Sequence, residues 1–214
     1  MRLIFLGPPA AGKGTQARRL AAEYGIPHIS TGDILRDAVR AESYLGREAK
    51  RYMDRGALVP DDVMIGIIRE RLQKADCARG FILDGFPRTI AQAEALDTLL
   101  ALMAKPVAHV VYMDVPVEEV LRRMNGRLTC QNCGTMFNLI LNPPKVSGRC
   151  DCCGGPLIRR ADDRVETAHE RLAIYRESTQ PLVEYYGARG LLKTVDGTGT
   201  IDDIAKRILE AVAG

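Results

Sequence analysis

The chain has 214 residues, 46% hydrophobic and 27% charged, an ordinary globular composition that suffices for one large domain or one domain carrying insertions. Its 30 Lys and Arg against 27 Asp and Glu leave a formal charge of +3, too balanced for a protein whose main work is coating nucleic acid or an anionic membrane, so any anion site must be local. The longest stretch free of charge, 128–144, holds two Cys, three Asn and a Gln and is no membrane helix, and the opening MRLIFLGPPAAGKG lacks a signal-peptide pattern, which points to the cytoplasm.

Short branched apolar runs at 3–6, 81–83, 107–113 and 191–195 are separated by long helical patterns, which predicts an α/β fold of parallel strands joined by crossover helices. The first helix is expected from a glycine-rich turn through 15–24, where Ala17, Leu20 and Ala21 share a face and Gly25 with Pro27 supplies the stop. Further helices are expected at 33–40, 46–55, 61–74, 90–104, 117–124, 164–186 and 201–212. Two segments interrupt the alternation. The stretch 30–59 reads as a helical insertion after the second strand position, and 126–163 lacks helical period and reads as a small inserted domain of short strands, hinged between helices as a lid. The core is then 1–29, 60–125 and 164–214.

The strongest motif is Gly7-Pro8-Pro9-Ala10-Ala11-Gly12-Lys13-Gly14-Thr15, placed directly after a strand and before a helix. In that context G-x-x-x-x-G-K is a phosphate loop: its glycines let backbone N–H groups turn inward, the helix N-terminus adds positive potential, and Lys13 reaches the terminal phosphates of a nucleoside triphosphate. Gly14 stands where a metal-binding Ser or Thr is usual, so that hydroxyl is either Thr15 or absent. The second motif, Asp84-Gly85-Phe86-Pro87-Arg88-Thr89, lies at the C-terminal end of a strand, where ligands of open parallel sheets bind; Asp84 offers a carboxylate for Mg²⁺-bound water and Arg88 a fork for phosphate. Ser30-Thr31-Gly32-Asp33 with Arg36 is either a further polar cluster or a simple capping box.

Five of the six cysteines fall between Cys130 and Cys153. Cys130-x2-Cys133 and Cys150-x2-Cys153, each followed by glycine, have the spacing of a ribbon-type structural Zn²⁺ site; Cys152 is a competing ligand, disulfides are the rival reading, and Cys77 is expected to be free. Residues 122–164 carry a net +5 before metal and +3 with four thiolates and Zn²⁺, which leaves a lid able to grip anions. Asp162 and Asp163 read as an N-cap before Arg164.

The runs LGPPAAGKGTQA, STGDILR, GALVPD, GFILDGFPRTIAQAEAL, GRLTCQNCG with PPKVSGRCDCCG, and RRADD with RLAIYRESTQPLVEYY resemble the adenylate kinase family of long-lid, zinc-binding bacterial type along essentially the whole chain. The resemblance implies a P-loop kinase with a central five-stranded parallel sheet, an NMP-binding insertion and a zinc lid, transferring the γ-phosphoryl of ATP to AMP with Mg²⁺ to give two ADP, as a monomer needing neither nucleic acid nor membrane. It implies an ATP site at Gly12, Lys13, Gly14, Thr15, Arg123, Arg127, Phe137 and Gly199. The AMP site it implies is Thr31, Arg36, Ala57, Leu58, Val59, Gly85, Phe86, Pro87, Arg88 and Gln92 with Arg160 and Arg171, Gln92 reading the adenine edge. Lys13, Arg88, Arg127, Arg160 and Arg171 would be catalytic, and Asp33 and Asp84 would lie around Mg²⁺.

Two departures from the family pattern stand out. Ala10 replaces a glycine, which predicts either an altered turn or about 1 kcal/mol of strain, and Asn138 replaces the frequent histidine after Phe137. Phosphoryl transfer to a phosphate oxygen needs no general base, so His28, His109 and His169 are read as core or surface residues. Two rivals differ in kind: a kinase using another donor such as GTP, and a zinc-ribbon nucleic-acid module, which an aromatic content of 5% without Trp disfavours.

Overall fold

The computed structural model describes residues 1–159, 163 and 165–213. Five strands, β1 (Arg2–Leu6), β2 (His28–Ser30), β3 (Phe81–Asp84), β4 (His109–Asp114) and β8 (Leu192–Asp196), form a parallel sheet in the order β2-β3-β1-β4-β8. Alternate residues of each strand serve opposite faces. Leu3 and Phe5 of β1 pack with α1 (Lys13–Tyr24), α6 (Val117–Gly126), α7 (Val165–Ile174) and α9 (Ile201–Ala213). Ile4 and Leu6 pack with α4 (Asp61–Leu72), α5 (Ile90–Leu102) and α8 (Leu182–Gly187) on the other face. Burial on both faces explains why these strands read as unbroken apolar runs.

Chain order leaves β1 towards β3 and later crosses to β4 on its other side, so the loops after β1 and β3 meet at one end of the sheet, where crevices form. The helical insertion is α2 (Thr31–Arg40) and α3 (Tyr44–Met53). Ser30 caps α2 by accepting a hydrogen bond from the Asp33 N–H, as a capping box predicts. The lid contains the antiparallel strands β5 (Arg127–Cys130), β6 (Met136–Asn138) and β7 (Leu157–Ile158) in the order β6-β5-β7. Its buried core among the described residues is only Cys130, Phe137 and Cys150, with Leu128 and Leu157 against them.

The continuous helical pattern at 164–186 is corrected by the structure. Beyond α7 the backbone widens into a π turn at Tyr175–Thr179, and α8 begins after Pro181. Proline cannot donate to a preceding turn, and the Thr179 hydroxyl instead donates to the carbonyl of Arg88 at 2.9 Å, tying this break to the loop after β3. The first helix stops as expected: Gly25 adopts φ 62° and its N–H closes on the Ala21 carbonyl.

Two helical glycines give a matched test. A Cβ at Gly46 would lie 2.0 Å from the Ala38 carbonyl oxygen, because α2 and α3 touch there, whereas a Cβ at Gly66 would meet open space. Gly46→Ala is expected to destabilise by about 2 kcal/mol or more, and Gly66→Ala to stabilise by up to about 1 kcal/mol. Thermal unfolding of the two variants checks this, and equal shifts would contradict the close crossing.

Candidate functional site

Two clefts open along the C-terminal edge of the sheet. The larger, of about 1170 Å³ and continuous with solvent, lies over the phosphate loop and is bordered by Gly12, Lys13, Gly14, Thr15, Arg123, Arg127, Phe137 and Gly199. The smaller, of about 580 Å³, lies between the insertion and α5 and is bordered by Thr31, Leu35, Ala57, Leu58, Val59, Met64 and Gln92. Gly32, Arg36, Gly85, Arg88 and Arg171 border both.

The phosphate loop holds its shape through residues in the left-handed region. Gly7 has φ 140° and passes so near β4 that a Cβ would lie 2.7 Å from the Met113 carbonyl oxygen. Ala10 adopts φ 58°, so this chain keeps a turn that suits glycine and carries the strain of a Cβ in it, the second of the two outcomes expected. Lys13 Nζ donates to the carbonyls of Gly7 at 2.8 Å and Pro8 at 2.7 Å, folding over its own loop. Burial lowers the Lys13 ammonium to about 8, with Arg88, Arg171 and Arg127 adding to the fall and Asp84 opposing it. Gly14 has a spatial reason: a Cβ there would lie 3.2 Å from Asp84 Oδ2 and 2.8 Å from the Met136 methyl.

Asp84, Asp33 and Asp163 each lie beside basic side chains. Burial opposes ionisation of Asp84, but a hydrogen bond to His28 Nε2 at 3.2 Å and the nearby Lys13 outweigh it and keep its pKa below the usual value. Asp33 accepts from Arg36 at 2.5 Å and from Arg18 at 2.9 Å; these partners overcome burial and bring its pKa down to about 2. Arg18 also donates to the lid carbonyl of Gly134 at 3.2 Å, linking α1, insertion and lid. Asp163, its side chain 1% exposed, accepts both Nε and Nη2 of Arg127 and, at 3.2 Å, Nη1 of Arg171.

The remaining expected residues divide. Arg88 Nε donates to the Gly85 carbonyl at 2.8 Å, as does the Thr31 hydroxyl. Arg123 is a clamp, 4% exposed, donating to the Ala11 carbonyl at 3.1 Å and the Gly197 carbonyl at 2.9 Å and paired with Glu119. The Phe86 side chain is not in either cleft: it is buried in the apolar core, and Pro87 borders an adjoining cavity behind the loop. Arg160 and Asp162 lie outside the described residues.

Sequence reasoning missed three residues. Asp163 read as a helix cap because its partners are 36 and 8 positions away; its acidic character beside so basic a lid was the one available signal. His28 read as a bland residue, but its position on β2, beside β3, sets it on Asp84. Arg18 carried no signal at all, since its partner Asp33 lies 15 positions away. Asn138 is committed structurally: its amide donates to the Arg123 carbonyl at 2.9 Å and accepts from the N–H groups of Ile140 and Leu141.

The four thiols of Cys130, Cys133, Cys150 and Cys153 lie within 4.8 Å of one another, with Cys130–Cys153 at 3.5 Å and Cys133–Cys150 at 3.6 Å. Tetrahedral zinc with Zn–S near about 2.3 Å sets sulfurs about 3.8 Å apart, so the donor set fits. Two equivalent turns build it, with Gly134 N–H on the Cys130 carbonyl and Gly154 N–H on the Cys150 carbonyl. Cys152 is exposed and outside the cluster; its N–H points at Cys150 Sγ at 3.4 Å.

A family model described as adenylate kinase matches residues 5–191. The chain belongs to the adenylate kinase family. Curated relatives named adenylate kinase include one from Thermodesulfovibrio yellowstonii, 56% identical over 208 residues and covering 97% of each chain. Another, from Archaeoglobus fulgidus, is 56% identical over 208 residues, 97% of this chain and 96% of its own. A third, from Geotalea uraniireducens, is 54% identical over all of this chain and 99% of its own. The protein is thus a nucleoside monophosphate kinase. Among the described residues no helix is long and apolar enough to cross a membrane.

The depressed Lys13 pKa has a consequence for this adenylate kinase family member. Its charge is present below about pH 8 and lost above it, so ATP affinity is expected to weaken as pH rises through that value, by up to roughly tenfold per unit. Calorimetric titration between about pH 7 and 9.5 checks this, and a constant Kd would contradict a phosphate-binding role for that ammonium.

Proposed function

We propose that the enzyme transfers the γ-phosphoryl group of ATP to AMP, reversibly, with ATP in the larger cleft and AMP in the smaller. The observation that carries this reading is that Arg36, Arg88 and Arg171 border both clefts, so cations stand where a triphosphate and a monophosphate would meet. In this reading Gly12, Lys13, Gly14, Thr15, Arg127, Phe137 and Gly199 hold the donor, with Arg123 bracing the loop beneath it. Thr31, Arg36, the turn Ala57, Leu58, Val59, the loop from Gly85 to Arg88, and Gln92 hold the acceptor.

A phosphate oxygen of AMP is already an anion at neutral pH, so the chain supplies alignment and positive charge rather than a base. Lys13, Arg88, Arg127, Arg160 and Arg171 neutralise charge on the transferred group. Mg²⁺, when bound with ATP, would neutralise phosphate charge, with Asp84 and Asp33 as acceptors for its water ligands. Residues 126–163 act as a lid and 30–59 as an acceptor-binding flap, closing over the site to exclude water, which would otherwise take the phosphoryl group. Zn²⁺ held by Cys130, Cys133, Cys150 and Cys153 would give the lid the core its few buried residues do not supply, and thiols at these separations suit a reducing, cytoplasmic setting.

A coupled assay of ADP formation from ATP and AMP, repeated with GTP as donor, tests the activity. ADP must form with ATP and AMP, and Arg88→Ala must lower kcat by at least roughly 10²-fold; near-normal turnover would remove Arg88 from the reaction. A strong chelator is expected to release about one zinc per chain and lower the melting temperature, and a metal-free preparation of unchanged stability would contradict the metal-built lid.

A further inference from the structure

Gln92 is 2% exposed and borders the smaller cleft, yet both ends of its amide are already in use. Its Oε1 accepts from the Arg88 backbone N–H at 2.7 Å, and its Nε2 donates to Asp61 Oδ1 at 2.6 Å. The other carboxylate oxygen, Oδ2, accepts the Thr89 hydroxyl proton at 2.9 Å, while the same hydroxyl accepts from the Gln92 backbone N–H at 3.1 Å as the cap of α5. Every proton in this circuit has one possible direction. A backbone N–H only donates, and an ionised carboxylate only accepts, so the amide oxygen must face Arg88 and the amide nitrogen must face Asp61.

We propose that Asp61 is a specificity-determining residue: by holding the Gln92 amide in one orientation it selects a 6-amino purine monophosphate over a 6-oxo purine monophosphate as acceptor. The inference rests on the reading above that Gln92 faces the acceptor base. A primary amide has two N–H groups and two oxygen lone pairs, and the circuit uses one of each. The remaining pair offers an acceptor beside a donor. Adenine answers with its 6-amino donor and its N1 acceptor. Hypoxanthine and guanine present the reverse, a 6-oxo acceptor and an N1–H donor. Binding them would require the amide to turn over, which sets an N–H against the Arg88 N–H and the amide oxygen against the Asp61 carboxylate. Discrimination then comes from two unpaired or repelling contacts behind the base as well as from the contact with it. Thr89 is the positioning partner, since its hydroxyl fixes the second carboxylate oxygen.

The test compares kcat/KM for AMP and for inosine 5′-monophosphate, which differs from AMP only in the edge concerned, with ATP as donor. Gln92→Leu removes the reader, Asp61→Asn frees its orientation, and Thr89→Val and Thr89→Ser remove and restore the hydroxyl. Asp61→Asn and Thr89→Val are expected to narrow the AMP-to-IMP ratio about tenfold, through the acceptor KM, with the KM for ATP within about twofold of the parent and Thr89→Ser near the parent ratio. If Gln92→Leu abolishes the preference while Asp61→Asn and Thr89→Val keep it, or lower both acceptors equally, Asp61 is structural and the proposal falls while the acceptor-site reading stands. If Gln92→Leu itself keeps the preference, the acceptor-site reading falls and the proposal with it.

Discussion

The site is built on electrostatic crowding. Lys13, Arg36, Arg88, Arg127 and Arg171 converge on one end of a parallel sheet, and like charges gathered in a partly buried cleft repel one another strongly. The fold tolerates them by giving each an internal acceptor: the Gly7 and Pro8 carbonyls for Lys13, Asp33 for Arg36, the Gly85 carbonyl for Arg88, and Asp163 for both Arg127 and Arg171. A polyphosphate offers the same groups stronger acceptors. On this account substrate binding is an exchange of partners, and the carboxylates hold the cations near their working positions in the meantime.

An exchange of this kind would explain why pieces of the site sit on different elements. Lys13 belongs to α1, Arg88 to the loop after β3, Arg127 to the first lid strand and Arg171 to α7. Arg18 of α1 is bonded at once to Asp33 in the insertion and to Gly134 in the lid, so both segments share a contact on one helix. Among the described residues the lid buries few side chains, with the four-thiol cluster at their centre, and Arg127 of its first strand borders the cleft.

Much of this was legible in the sequence because it is local. The phosphate loop, the two Cys-x2-Cys turns, the Gly25 stop and the strand ends carrying Asp84 are all specified by residues within a few positions, and periodicity found the strands because both faces of the sheet are buried. What was not legible is long-range pairing. Asp163 with Arg127, His28 with Asp84, and Asp61 with Gln92 join residues 36, 56 and 31 positions apart, and side-chain type alone does not name the partner. The helix pattern at 164–186 misled for a related reason: apolar spacing continues through Pro181, but the backbone opens into a π turn where Thr179 reaches Arg88. Phe86 sat inside a functional motif and still faces the core, since a motif marks a segment and not the direction of every side chain in it.

The most direct test is a crystal structure with a bisubstrate compound in which two adenosines are joined through a polyphosphate. The account predicts Lys13 Nζ and the guanidinium groups of Arg88, Arg127 and Arg171 within hydrogen-bond distance of phosphate oxygens, with Lys13 released from the Gly7 and Pro8 carbonyls. Phosphates bound elsewhere, with Lys13 still on its own loop and both Arg127 and Arg171 still bonded to Asp163, would contradict it.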